Sequence, residues 1–295
     1  MEVIPELKDQ CLILAVSGGI DSIVMLDMMS KYYRHLVVAH FEHGIRGEAS
    51  KADAKFVKKL AQKYQLPFEI MSGSLGPTAS EEAARKLRYE FLRQVARTHH
   101  GVICTAHHAD DVLESVAINL QRGTGWRGLA VMNAPDIYRP LIGLTKAQIR
   151  KYAKDNQLTW QEDTTNQSDY YLRNRIRTKI NQRLRIGGKE MLFELYQNQL
   201  VLAQAIDREL TTYLRPSGRY QRYFYIMIDP AVAEEILRFI VKTELGQSLT
   251  RPQAARALLA IKISKPRSYF QAALGVELEF TTRTFKLVKT DLKTV

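Results

Sequence analysis

Six consecutive residues, Ser17-Gly18-Gly19-Ile20-Asp21-Ser22, combine the groups needed to hold a phosphate. Two adjacent glycines let the backbone approach an anion closely, and the free N–H groups of a helix N-terminus point toward one. The hydroxyls of Ser17 and Ser22 add donors. Asp21 is the odd member, because a carboxylate beside a phosphate repels it. A Mg²⁺ ion bridging carboxylate and phosphate would remove that conflict. The string is not a Walker-type loop, since no lysine follows the glycines, and it lacks the spaced glycines of a dinucleotide-binding turn. The plain alternative is an ordinary strand–turn–helix connection.

A second cluster runs from Thr105 to Glu114, with His107-His108 ahead of Asp110-Asp111. Glu114 follows Asp111 by three residues, so on a helix the two share a face. Paired carboxylates can hold Mg²⁺, act as a base or grip an ammonium group. They can also simply favour a helix N-terminus, an effect worth roughly 0.3–1 kcal/mol. His40 and His43 have a spacing that could bind metal, but with only carboxylates nearby and no cysteine suitably placed, zinc is not expected.

These clusters need elements to position them. Leu12–Val16 reads as a buried strand running into the glycines, with a helix from Ile23 to Met29 behind them. His35–Ala39, Leu66–Met71 and Val102–Thr105 read as further strands. Residues 50–64, Ser80–Ala96 and His107–Leu120 read as helices, with Ser80 as a cap and Glu81 and Glu82 in the following turn. This alternation predicts an α/β fold with a doubly wound parallel sheet. Ligands in such a sheet lie beyond the C-terminal strand ends. The polar clusters at 17–22, 40–47 and 105–111 all follow strand ends, so they should converge on one crevice. Residues 121–143 read as a long loop with a short strand near Ile137-Tyr138, and Thr145–Asn156 as a helix. After a loop at 162–169, an Arg-rich helix is expected over 171–185. Gly187-Gly188 is the best boundary, giving a catalytic domain over 1–187, including a helical linker region, and a smaller α+β domain over 188–295. In the latter, 189–214, 231–243 and 251–261 read as helices, Tyr223–Ile228 as a strand, and Ser268–Lys289 as a hairpin turning near Thr281 to Arg283.

The 295 residues carry a formal net charge of +12 and a sequence pI of about 9.6. That favours a polyanionic partner, nucleic acid before membrane. From 139 to 190 there are twelve Lys/Arg against five Asp/Glu. In this stretch Arg173 and Arg177 would share a helix face while Arg175 points elsewhere. They could contact RNA phosphates or form a solvated basic helix. No apolar run approaches the roughly 20 residues of a membrane span, and the N-terminus has no signal-peptide pattern. Cys11 and Cys104 form no CxxC pair and read as buried free thiols of a reducing cytoplasm.

The loop at 17–22 resembles the SGGxDS loop of the N-type ATP pyrophosphatases, and further stretches resemble the tRNA(Ile)-lysidine synthetase family within that PP-loop superfamily. They are AHFEHGIRGEAS (39–50), EEAARKLRYEFL (81–92), TAHHADDVLES (105–115), RGTGWRGLAVM (122–132), RPLIGLTKAQIRKYA (139–153) and EDTTNQSDYYLRNRIR (162–177). The last three are the most specific to this branch. Trp126 and the pair Thr164-Thr165 depart from the family's usual residues without removing a charged position. The resemblance implies an adenine nucleotide α-hydrolase-like fold and an ATP- and Mg²⁺-dependent ligase of tRNA modification. The C2 oxygen of the wobble cytidine of a CAU-anticodon isoleucine tRNA would attack the α-phosphate of ATP. The ε-amine of L-lysine would then displace AMP, giving lysidine. On this reading Ser17, Gly18, Gly19, Ile20, Asp21 and Ser22 bind ATP, and Asp21 holds Mg²⁺. Asp111 and Glu114 grip lysine and assist its deprotonation, and His107 with Arg85 or Arg88 stabilises charge on the intermediate. Arg173, Arg175 and Arg177 hold phosphate or the tRNA backbone, and the C-terminal domain grips the rest of the tRNA. The expected setting is the cytoplasm, with no membrane partner; a homodimer is one assembly the sequence leaves open.

Three other readings differ in what they need. A tRNA thiolase needs sulfur-carrying cysteines or an Fe–S cluster, for which Cys11 and Cys104 are poorly placed. An ammonia-using synthetase of a small substrate has no use for the Arg-rich 139–190 segment. A non-catalytic RNA-binding module has no need of Asp21, Asp110, Asp111 and Glu114 together, and would show no ATP–pyrophosphate exchange.

Overall fold

A computed structural model describes residues 4–42, 48–73, 81–161, 186–215 and 217–290. Two compact units are present, Met1–Asn198 and Gln199–Val295. His43, Arg46, the loop at 162–169 and the Arg-rich segment with Arg173, Arg175 and Arg177 lie outside the described residues.

The first unit is built on five parallel strands, β1 (Cys11–Ala15), β2 (Leu36–Glu42), β3 (Phe68–Ser72), β4 (Gly101–Cys104) and β5 (Ile137–Tyr138), in the order β3-β2-β1-β4-β5. The chain winds outward from β1 to β3 and then returns to lay β4 on the other side of β1. The point between β1 and β4 is therefore where the strand order reverses, the place where open α/β sheets bind ligands.

Helices cover both faces because successive strand residues point to opposite sides. Leu12, Leu14, Val16 and Val38 join a core with α1 (Ile20–Ser30), α2 (Glu48–Lys63) and, after β5, the helix Lys146–Asp155, through Met25, Val57 and Ile149. Ile13, Val37 and Ile103 pack on the opposite side against Tyr89, Leu92 and Val95 of α3 (Glu81–Thr98). Leu12, Ile13 and Leu14 are wholly buried, each contributing about 1.5–3 kcal/mol. α4 (Ala109–Gln121) follows β4, and Lys146–Asp155 becomes α5. The long stretch 121–143 holds a single 3-10 turn, Trp126–Gly128, before β5.

α1, α2 and α5 are tied by a polar knot. The buried Asp27 accepts hydrogen bonds from the hydroxyls of Tyr64 and Tyr152, each at 2.7 Å, and pairs with Lys31 at 2.8 Å. Burial by itself would raise the Asp27 carboxyl, but Lys31 and the two hydroxyls outweigh it and hold the group below its ordinary value. A depressed carboxylate contributes stability that is present above the unfolded-state pKa and fades as pH falls through the folded one. Asp27→Asn is therefore expected to cost about 1–3 kcal/mol at neutral pH. Its deficit against the wild type should shrink as pH drops below the ordinary aspartate range. Urea midpoints of both proteins from pH 7 down to pH 3 check this; a deficit that is constant or grows in acid sinks it.

The helix α6 (Ile186–Tyr213) contains the division between units, so the units part after Asn198 and Gly187-Gly188 lies inside a helix. The second unit carries β6 (Tyr220–Gln221), α7 (Arg222–Met227), α8 (Pro230–Leu245), α9 (Arg251–Ile263), β7 (Tyr269–Ala273), β8 (Val276–Phe280) and β9 (Thr284–Lys289). Its antiparallel sheet has the order β6-β9-β8-β7. Tyr223–Ile228, expected as a strand from its aromatic and branched residues, is mostly the helix α7. Arg222 and Tyr225, three apart, are its buried members. The Arg222 guanidinium donates to the carbonyls of Ile261, Ser264 and Thr281 at 2.7–3.1 Å; tertiary contacts override local propensity here. The expected C-terminal hairpin is present as β8 and β9, but β7 precedes it, turning at Leu274-Gly275 with Gly275 at φ +77°.

Among the described residues no helix is long and apolar enough to cross a membrane. Cys104 is a buried free thiol, whereas Cys11, expected to be buried, is only partly so.

Candidate active site

The loop after β1 and the loop after β4 leave neighbouring strands at the reversal point. Gly18 takes φ +97°, a conformation that a side chain would strain. Gly19 is the N-cap of α1 and brings no side chain of its own. Ser22, one turn into the helix, takes over. Its Oγ donates to the Gly19 carbonyl at 2.8 Å and accepts from the N–H groups of Ser17 and Gly18, each at 3.2 Å. The buried His40 ring meets the Val16 carbonyl at 2.8 Å through Nδ1. Burial pushes its imidazole below the usual range, so His40 buttresses the end of β1.

Asp21 sits in the first turn of α1. Both its carboxylate oxygens accept from Lys146 Nζ, at 2.5 and 2.7 Å. Lys146 is the first residue of α5, fixed there by two devices. Thr145 and Gln148 form a capping box, and the Lys146 N–H donates to Asp110 Oδ2 at 2.7 Å. Asp111 caps its own helix, accepting from the His108 N–H at 3.0 Å. Each of the two aspartates thus has one oxygen tied by backbone. The His108 ring lies among three carboxylates, 3.5 Å from Asp111, 3.7 Å from Asp110 and 3.8 Å from Asp21. Glu114 is buried on α4.

His107 points elsewhere. Its Nδ1 lies 2.9 Å from Thr105 Oγ1. Burial, then Arg139, Arg85 and Arg88, drive its pKa down to about 3. Its ring is therefore neutral and can offer a hydrogen bond but no charge; the positive charge on that side belongs to the arginines. Arg85 and Arg88 stack near the Tyr89 ring, 5.0 and 5.3 Å from its centroid. Arg139 follows the end of β5, its guanidinium donating to the Ile137 carbonyl at 3.0 Å.

The structure thus brings Ser17 to Ser22, Asp110 and Asp111 to one crevice, and places His107, Arg85 and Arg88 in a basic group beside it. Three members escaped the sequence reading: Lys146, His108 as the ring among carboxylates, and Arg139. The available signal was position, because Arg139 directly follows a strand of the parallel sheet and Lys146 opens the next helix. Among the described residues no group of three or more His, Cys, Asp or Glu side chains is arranged to hold a metal ion. The carboxylates of Asp21, Asp110 and Asp111 are oxygen donors of the kind a hard cation such as Mg²⁺ takes, one or two at a time.

The sequence model of a family described as the PP-loop domain matches residues 1–184. The tRNA(Ile)-lysidine synthase of Caldanaerobacter subterraneus subsp. tengcongensis is 39% identical over 186 residues, 59% of this chain and 40% of that protein. The tRNA(Ile)-lysidine synthase of Haemophilus ducreyi is 33% identical over 219 residues, 68% of this chain and 50% of that protein. The chain spans about half the length of these curated relatives. Among solved structures, the U34-tRNA thiolase NcsA from Methanococcus maripaludis, with its 4Fe-4S cluster, shares the fold. The TM-score is 0.56 at 18% identity, over 65% of this chain and 73% of that one.

Proposed function

The chain belongs to the PP-loop domain family, and from that premise we propose that it is an ATP-dependent ligase joining L-lysine to C2 of the wobble cytidine in the CAU-anticodon isoleucine tRNA. The observation that carries the reading is the crevice at the strand-order reversal. There a glycine loop at a helix N-terminus, the Asp21 carboxylate and the Asp110–Asp111 pair meet, in a chain whose curated relatives are named tRNA(Ile)-lysidine synthase.

The chemistry has two steps. The cytidine C2 oxygen attacks the α-phosphate, the bond to the β-phosphate breaks, and pyrophosphate leaves. The lysine ε-amine then attacks C2, and the C2–O bond breaks to release AMP. The base must be presented unpaired, which suits an anticodon loop. Ser17, Gly18, Gly19 and Ser22 cradle the phosphates. A Mg²⁺ ion bound with the nucleotide supplies charge neutralisation, and Asp21 is the residue that would hold it. The substrate ammonium must shed a proton before it can attack, a task for Asp111 with Glu114. Arg85, Arg88 and Arg139 offer charge to the adenylated intermediate or the tRNA backbone, and Arg173, Arg175 and Arg177 are proposed to contact phosphate or the tRNA backbone. On this proposal the enzyme works in the cytoplasm, with the second unit gripping tRNA. Sulfur transfer is disfavoured, because burial pushes the Cys104 thiol up and Cys11 lies at the far end of β1 from the loop.

Incubating the protein with ATP, Mg²⁺, radiolabelled lysine and tRNA transcripts tests the reading. Label is expected only in the isoleucine transcript with the CAU anticodon. Label in neither transcript, or equally in one with another anticodon, overturns it.

A further inference from the structure

Three arginines of α3 gather around one buried ring. The guanidinium carbons of Arg85, Arg88 and Arg93 lie 5.0, 5.3 and 5.9 Å from the Tyr89 ring centroid. We propose that Tyr89 is a positioning residue of the site, its ring holding the Arg85 and Arg88 guanidiniums ready for a phosphate before that phosphate arrives. This rests on the roles proposed above for the two arginines and adds the residue that aims them.

Two observations carry the inference. The first is geometry. Arg85, Tyr89 and Arg93 are spaced four apart, so they form a row along one face of α3, with Arg88 beside it. Tyr89 is 9% exposed and belongs to the core that includes Phe91, Leu92, Val95 and Ile137. Its ring is therefore a fixed platform. Arg85 is exposed and Arg88 half-buried, and an unheld arginine side chain would spread over many rotamers. The face of an aromatic ring attracts a guanidinium, more strongly where water is excluded.

The second is charge. Three cations around one ring repel one another. Arg93 is tied to Asp136, the residue before β5, at 2.9 Å, which commits it to the foot of that strand. Arg85 and Arg88 act toward the loop after β4. After burial and Arg139, they are what keeps the His107 ring neutral. A phosphate entering there relieves their mutual repulsion, and a ring that already holds both groups lowers the ordering cost of receiving it.

Steady-state kinetics and proton resonances of wild-type protein, Tyr89→Leu and Tyr89→Phe test this, with the double variant Arg85→Met, Arg88→Met as a reference background. Tyr89→Leu should lose roughly 5- to 30-fold in kcat/KM for lysine incorporation into tRNA, and Tyr89→Phe, which keeps the ring, should retain most of it. A fall in kcat assigns the phosphate to the adenylated intermediate and a rise in the KM for tRNA assigns it to the tRNA backbone, each in accord with the proposal. On the double-variant background Tyr89→Leu should add less than about twofold, whereas a general packing defect adds its full loss. The Nε–Hε resonances of Arg85 and Arg88, displaced by the ring in the wild type, should shift in Tyr89→Leu and stay in place in Tyr89→Phe. A full additional loss on the double-variant background, equal losses in the two Tyr89 variants, or arginine resonances indifferent to Tyr89→Leu overturns the assignment. Resonances that behave as expected in a protein that never incorporates lysine would keep Tyr89 as the holder of these arginines and sink the lysidine reading alone.

Discussion

Asp21→Ala is expected to abolish AMP formation, by about a thousandfold or more, while the variant still binds tRNA within a few-fold of wild type. The effect is catalytic because the carboxylate carries little of the fold. Its pair with Lys146 is about one-third exposed on both sides, and such pairs contribute about 0–1 kcal/mol. The loop itself is held by Ser22 and the backbone of Ser17 to Gly19, none of which depends on Asp21. Nucleotide should therefore still be able to reach the loop. What would be lost is the carboxylate proposed to hold the cation against the phosphates, so turnover should fall far more than ATP binding does. AMP release measured with tRNA and lysine present, beside filter binding of the tRNA, checks both halves. Turnover near the wild-type level would remove Asp21 from the chemistry, and a parallel loss of tRNA binding and melting temperature would reassign it to structure.

Much of this arrangement was legible in the sequence because its chemistry is written in contiguous residues. A strand, two glycines and a helix within twenty positions specify a phosphate loop, and each strand of the parallel sheet is a short apolar run between polar stretches. Two adjacent histidines were another matter. The backbone at His108 is extended, φ −130° and ψ 177°, so neighbouring side chains point to opposite sides. His107 faces the arginines and His108 the carboxylates. Sequence alone does not choose between those sides, because the choice depends on which face of β4 each neighbour covers. Lys146 and Arg139 were hidden for a related reason. β5 pairs with β4 over two residues, Ile137 and Tyr138, and that short pairing is what sets Arg139 beside the crevice and starts the path to α5. In the second unit, α7 reads locally as a strand, and only the burial of Arg222 among carbonyls from distant segments explains why it is helical.

Asp111→Asn is expected to stop lysine incorporation almost completely, by about 100- to 10,000-fold, while tRNA-dependent ATP–pyrophosphate exchange continues. The substitution is nearly isosteric. The amide oxygen can still accept the 3.0 Å bond from the His108 N–H, so the start of α4 survives and only the charge is lost. On the proposed reaction that charge matters in the second step alone. There a lysine ammonium entering the crevice would need a carboxylate to hold it and to take or relay its proton, whereas attack of the C2 oxygen on the α-phosphate would make no such demand. Glu114 lies one turn further along α4 and is buried. On the proposed roles Glu114→Gln should impair the same step and share the same intact exchange. Adding lysine at high concentration separates binding from proton transfer: a defect relieved by saturation places Asp111 in the grip on lysine, and one that persists places it in deprotonation. Loss of exchange in Asp111→Asn with the fold intact would contradict both roles, because it would tie this carboxylate to adenylation, on the same side of the reaction as Asp21.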